Sequence, residues 1–162
     1  VFFGDNGTPS QVVQSPYRTR RAKGSIFQGG INVPMVIAGV GVTRKGERED
    51  ALIQSTDLFS TIAQMAGSTI SEKHNSKSFH PLLSDTNIDL RTYAYAEKST
   101  DGNVSYTVRD SQYKLIVDAD GTESMYDLKN DPYEKNNLLV NVSPSINEVR
   151  NILFQEALRI RK

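Results

Sequence analysis

Asp5 and Asn6 stand side by side between two glycines in the opening run Val1-Phe2-Phe3-Gly4-Asp5-Asn6-Gly7. A carboxylate beside an amide carbonyl is a donor pair suited to a hard divalent cation, which takes oxygen ligands. Neighbouring strand residues point to opposite faces. The two side chains therefore converge on one ion only where the backbone bends, and Gly4 and Gly7 permit that bend. The same residues also make an ordinary turn, because Asn-Gly after a β run is the strongest short hairpin signal. Local sequence leaves both open.

Either way, the elements around this turn must deliver it. Val1-Phe2-Phe3 is a short apolar run that stops at Gly4, and Met35 to Ala38 is a second. Between them, Lys23-Gly24 precedes a Gln28-Gly29-Gly30 turn that leads through Ile31-Asn32-Val33-Pro34 into the second run. Two buried strands are thus expected to bring a polar loop to one edge.

In this order and spacing the pieces resemble the sulfatases of the alkaline phosphatase superfamily. Their pattern is an apolar strand ending in Asp-Asn-Gly, then Lys-Gly, then Glu-Gly-Gly-x-Arg-x-Pro. Here Gln28 stands where glutamate is usual and Asn32 where arginine is usual, changes expected to alter loop support more than chemistry. The resemblance implies that Asp5 and Asn6 are ligands of a divalent cation, usually calcium, and that Lys23 contacts the sulfate group of a sulfate ester substrate. Arg18, Arg20 and Arg21 read as a solvated loop, although converging positive charge beside an anion site raises the local substrate concentration.

The likeness covers almost the whole chain. Lys77 to Leu83 resembles the Ser-Leu-x-Pro-Leu-Leu helix entry of sulfatases, and Val108 to Ile116 their Val-Arg-x-x-x-Tyr-Lys-Leu-Ile strand pair. Met125 to Glu134 with Asn136-Asn137-Leu138 resembles their Leu-Tyr-Asp-Leu-x-x-Asp-Pro-x-Glu-x-x-Asn-Leu run. Sulfatases attack sulfur with a formylglycine made from the Cys or Ser of a Cys/Ser-x-Pro-x-Arg motif. This chain has no cysteine, and Pro16-Tyr17-Arg18 carries Gln14 at the nucleophile position. The resemblance implies that the formylglycine, the remaining aspartate ligands and the catalytic histidines lie upstream of Asp5. Two oxygen residues fall short of the roughly six to eight ligands that calcium takes.

The chain has 162 residues, 37% hydrophobic and 23% charged, ordinary values for a globular domain. Nineteen basic residues balance nineteen acidic ones, so no electrostatic case exists for nucleic acid or an anionic membrane. The apolar runs are too short to span a bilayer. An opening in mid-motif is expected of a piece cut from a longer protein, whose targeting segment would lie outside it. The resemblance implies export of the parent to a periplasmic, secreted or lysosomal place. Three glycosylation-type triplets begin at Asn6, Asn103 and Asn141, and a glycan on Asn6 would rule out its ligand role. A cut would also expose the strands at Val1 to Phe3 and Met35 to Ile37, inviting artefactual self-association.

Further along, Ser55 or Thr56 is expected to cap a core helix bearing Leu58, Phe59, Ile62, Ala63, Met65 and Ala66, stopped by Gly67. Asp57 is explained there by the helix dipole. Ser68 to Ser78 reads as polar and irregular. His74 and His80 read as surface or packing residues. Thr92 to Glu97, Val104 to Arg109, Tyr113 to Val117 and Glu123 to Tyr126 read as strands, with turns at Asp110-Ser111-Gln112 and Asp118 to Gly121. Asp127, Asp131 and Glu134 are accounted for by a turn on Asn130-Asp131-Pro132. A last helix opens on a Ser145/Glu148 capping box, carries Ile146, Val149, Ile152, Leu153, Ala157 and Ile160 inward, and ends with Arg159, Arg161 and Lys162 at its negative pole.

The expected fold is α/β, an α+β fragment: the end of the large sulfatase sheet domain over residues 1–84, then a small four-stranded antiparallel sheet packed by a C-terminal helix over 85–162. The expected function is the C-terminal part of a sulfuric ester hydrolase, inactive as an isolated fragment, with Asp5 and Asn6 as metal residues and Lys23 as catalytic and substrate-binding residue. Two alternatives are a phosphate or phosphonate ester hydrolase of the same superfamily and a non-catalytic β-rich binding module.

Overall fold

The computed structural model describes residues 1–70, 74–86 and 88–161. Its contacts gather the chain into two compact units, one of Val36–Ala94 with Val1, the other of Phe2–Met35 with Tyr95–Lys162.

In the second unit the chain begins with β1 (Phe2–Phe3), then α1, a single helical turn (Gln28–Ile31), and β2 (Met35–Val36), which pairs with β1. A four-stranded sheet follows, with β3 (Ala94–Thr100), β4 (Asn103–Arg109), β5 (Tyr113–Val117) and β6 (Glu123–Asp127) in that spatial order. The β4–β5 and β5–β6 pairs are antiparallel. Asp110 forms the first expected turn by accepting the Gln112 and Tyr113 amides at 2.7 and 2.6 Å, the local bonding that makes aspartate a turn residue. Gly121, at φ +84°, closes the second.

The sheet is covered on both faces. Val108, Leu115 and Met125 form one cross-strand row, fully buried together with Leu153 and Ala157. The helix α3 (Pro144–Ile160), which contacts β4 and β5, lies over that face. Alternation turns Lys114 and Ile116 to the other side, where Ile116, Tyr126 and Leu128 cluster with Ile26 from the N-terminal segment, Phe27 packing alongside.

The cap of α3 is Ser143, whose hydroxyl accepts the Ile146 amide at 3.3 Å, rather than the Ser145/Glu148 box. Pro144 explains the shift, because a residue with preset φ and no N–H suits the first helical position. Leu153 and Ala157 are buried as expected, while Ile152 is exposed. Lys162 lies outside the described residues.

In the first unit α2 spans Asp57–Met65, and Gly67, at φ +70°, ends it. Its expected orientation is reversed. Asp57, Ser60 and Thr61 are its buried residues, whereas Phe59, Ile62 and Met65 are exposed. Thr56 makes no side-chain cap. Asp57 is fully buried and accepts the Lys77 and Gln54 amides, each at 2.8 Å, and the Arg91 guanidinium. Thr61 Oγ1 donates to the Asp57 carbonyl at 2.7 Å and accepts the Phe79 amide at 3.0 Å. The dipole is therefore an insufficient account of Asp57, which is the polar hub of this unit. Of the expected polar stretch Ser68 to Ser78, residues 71–73 lie outside the described residues.

The first two strands are shorter and more open than expected. Phe2, Phe3 and Val36 are exposed in this chain, and the second apolar run is regular strand only at Met35–Val36.

Candidate functional site

Backbone bonds fix the Asp5-Asn6 turn at both ends. The Gly4 amide donates to the Pro34 carbonyl at 3.1 Å, the Gly7 amide to the Gly30 carbonyl at 2.9 Å, and the Lys23 amide to the Thr8 carbonyl at 3.0 Å. A Cβ at Gly7 would stand 1.9 Å from the Gly29 carbonyl oxygen and 2.8 Å from Gly30 Cα. One at Gly29 would meet the Arg21 carbonyl oxygen at 2.4 Å, and one at Gly30 the Ser25 carbonyl oxygen at 2.2 Å. Three glycines thus allow three backbones to stack with no room for a side chain. The Asp-Asn turn and the Lys23 loop belong to one interlocked block.

On that block Asp5 and Lys23 are exposed and Asn6 is half-buried. Among the described residues, no side-chain hydrogen bond or ion pair engages any of the three. Asp5 and Asn6 offer oxygen donors of the type a hard cation takes. Among the described residues there is no group of three or more His, Cys, Asp or Glu able to hold a metal ion.

Beneath the block lies a polar cluster that reading the sequence missed. Lys114 is fully buried and Glu134 is 1% exposed. Lys114 Nζ donates to Glu134 Oε1 at 2.6 Å, and the Gln28 amide donates to Glu134 Oε2 at 2.7 Å. The Arg21 guanidinium donates to the Glu134 carbonyl and, at 3.3 Å, to the Tyr126 hydroxyl. It also lies 4.4 Å from the centre of the Phe27 ring. Glu134 adopts φ +55°, with its amide donating to Asp131 at 3.0 Å. Burial pushes Lys114 down to about 8, against the opposing pull of the Glu134 carboxylate.

The turn explanation therefore holds for Asp127 and Asp131, which accept amides of Lys129, Asn130 and Asn136. It fails for Glu134. The available signal was Lys114 itself, a lysine inside the apolar strand Tyr113–Val117, which needs a carboxylate partner if that strand is buried on both faces. His74 is exposed and His80 half-buried. No described helix is long and apolar enough to cross a membrane.

Comparison with known proteins places this geometry in context. The family model described as N-sulphoglucosamine sulphohydrolase, C-terminal, matches residues 21–162. An ulvan-active sulfatase of Formosa agariphila is 26% identical over 163 residues, covering 78% of this chain and 32% of that protein. Arylsulfatase K of Xenopus laevis is 26% identical, covering 92% of this chain and 29% of its own length. A crystal structure of a Bacteroides thetaiotaomicron protein assigned to the sulfatases superposes with a TM-score of 0.73 at 26% identity, over 86% of this chain and 32% of that one. The chain thus spans about a third of the length of the relatives it matches.

Proposed function

Because the chain belongs to the N-sulphoglucosamine sulphohydrolase C-terminal family of sulfatases, we propose that it is the C-terminal part of a sulfuric ester hydrolase. Residues 1–84 would complete the catalytic domain of an exported parent, and 85–162 would form its small C-terminal domain.

The observation that supports this reading is the glycine interlock, which joins the Asp-Asn turn to the Lys23 loop through the Gly7–Gly30 and Lys23–Thr8 bonds. Asp5 and Asn6 would hold a divalent cation, calcium by resemblance, together with ligands from upstream. That ion, when bound, supplies Lewis acidity toward the sulfate oxygens. Lys23 places its ammonium where the sulfate oxygens and the leaving alcohol gain negative charge, an interaction stronger in the transition state than in the ground state. Its exposed side chain is fixed only through its backbone, which leaves the ammonium able to reach a bound anion. The nucleophile, a formylglycine, lies upstream, so the isolated fragment has no turnover.

The test is hydrolysis of an aryl sulfate beside the matched aryl phosphate and phosphonate by the full-length parent, with Asp5→Ala, Asn6→Ala and Lys23→Ala in parallel. Preferential sulfate hydrolysis, lost in all three variants, is the expected result. Preference for phosphate or phosphonate would reassign the substrate class, full activity in the variants would reduce the motif to a turn, and inactivity on every ester would leave a binding module.

A further inference from the structure

Glu134 is the residue on which both halves of the interlocked block converge, one on its carboxylate and one on its main-chain carbonyl. Its Oε2 accepts the Gln28 amide, the first residue of the Gln28-Gly29-Gly30 turn on which Gly7 rests. Its carbonyl accepts the Arg21 guanidinium. Arg21 opens the Arg21-Ala22-Lys23 segment, and the carbonyls of Arg21 and Ala22 are themselves the close neighbours of Gly29 and Gly30. Lys114, rooted in β5, holds the other carboxylate oxygen at 2.6 Å. One residue of the C-terminal turn thus ties the seat of Asp5-Asn6 and the root of the Lys23 loop to the sheet.

We propose that Glu134, anchored by Lys114, is a positioning residue that sets the Asp5-Asn6 turn and Lys23 relative to one another, so that the small sheet governs the geometry of the ester site. The proposal rests on the sulfatase reading of Asp5, Asn6 and Lys23. Glu134 is buried and acts through Gln28 and Arg21. Its carboxylate holds Lys114 on one oxygen and the Gln28 amide on the other and carries the charge that Lys114 requires; its main-chain carbonyl, in a left-handed backbone at φ +55° uncommon for a non-glycine residue, takes Arg21. Lys114 holds the carboxylate rigid by taking one oxygen in a site closed to water, leaving the other for Gln28.

The test uses the full-length parent with two variants. Glu134→Gln keeps the shape and an oxygen acceptor but loses the charge that holds Lys114. Lys114→Met with Glu134→Leu removes both charges together, which avoids stranding one member of a buried pair, while deleting the acceptor for Gln28. Thermal unfolding confirms that the variants used are folded. The readouts are calcium affinity by calorimetry, kcat and KM for an aryl sulfate, and amide exchange at Gly7 and Lys23. Outer partners of a metal ligand are worth about 10–100-fold in affinity or activity. Calcium affinity and kcat are expected to fall by about that factor in the folded double variant, with faster exchange at both amides, KM changing less than kcat, and Glu134→Gln intermediate. A folded double variant with wild-type calcium affinity, kcat and exchange would overturn the proposal. A wild-type parent that neither binds calcium nor cleaves a sulfate ester would overturn the sulfatase reading and this proposal with it.

Discussion

The Gln28 backbone amide and the Glu134 carboxylate are 106 residues apart in sequence and 2.7 Å apart in space. This bond and the 2.6 Å Lys114–Glu134 pair join the N-terminal segment to a sheet formed much later in the chain. Glu134→Ala would leave the Lys114 charge and the Gln28 amide buried without partners. Removing one member of a buried pair costs about 3–5 kcal/mol, and urea unfolding of the chain, followed by tyrosine fluorescence, is expected to show a loss of that size. A loss under about 1 kcal/mol would mean that water replaces the carboxylate.

The same pair makes stability depend on pH. Lys114 titrates near 8 in the folded chain against 10.5 for an ordinary lysine, with burial as the main cause, Glu134 opposing it and Arg109 and Arg21 adding to it. Between these two values the unfolded chain binds the extra proton, so stability gained from this group rises with pH. The cost of folding with a charged Lys114 is complete below about pH 8 and relieved by about pH 10.5. Comparing unfolding free energies of wild type and Lys114→Met across that window isolates the effect. Wild type should gain relative to the variant as pH rises, and parallel curves would refute the shift.

Much of the sheet was legible because its signals are local. Aspartate turns and alternating apolar residues fall where β4, β5 and β6 begin and end, since a two-residue period and a turn need only neighbours. The Asp5-Asn6-Gly7 and Gln28-Gly29-Gly30 motifs could likewise be read as one unit from their order. What the sequence concealed was set at long range. Whether a loop glutamate is solvated or buried depends on what folds over it, and Glu134 is covered by Gln28, Arg21 and Lys114. In α2 the periodicity located an apolar side correctly, but periodicity carries no information on which side this chain covers, and here it is the polar one.

Gly7 tests the interlock directly. A methyl group there would overlap the Gly29 carbonyl, with Cβ at 1.9 Å from its oxygen. Neither neighbour is a side chain that can swing away, so Gly7→Ala should cost about 3 kcal/mol or more, in the range of severe single substitutions. Gly24 is the control. It has φ +84° and no atom within 4 Å of a built Cβ, so Gly24→Ala carries only the left-handed penalty of about 1–2 kcal/mol. Equal losses in the two variants would mean that the turn and the Gln-Gly-Gly segment are not in contact.

Asp57 should prove as sensitive as any apolar core position in its unit. Its carboxylate is fully buried and satisfies two amides and the Arg91 guanidinium, while Arg91 Nε is buried without a partner among the described residues. Asp57→Ala orphans the two amides and removes the carboxylate from Arg91, which keeps only the Gln54 side-chain oxygen and the Asn75 carbonyl, with an expected loss of about 3–5 kcal/mol. In a double-mutant cycle Arg91→Met should recover part of it, because it removes the stranded charge. A cycle with no coupling would assign the loss to the two amides alone.

The exposed side of α2 makes the opposite prediction. Phe59, Ile62 and Met65 lie one helical turn apart and are each about half exposed or more, in a chain that spans about a third of its relatives. A contiguous apolar stripe in water favours association by roughly 25 cal/mol per Å² of surface removed. The isolated chain is therefore expected to self-associate in sedimentation equilibrium at micromolar concentration. Phe59→Lys with Ile62→Glu should render it monomeric without lowering its unfolding free energy, because neither side chain lies in the core of its unit. A loss of stability in the charged variant would show that the stripe packs within the chain after all, whereas unchanged association would transfer the contact to the exposed Phe2, Phe3 and Val36 of the first two strands.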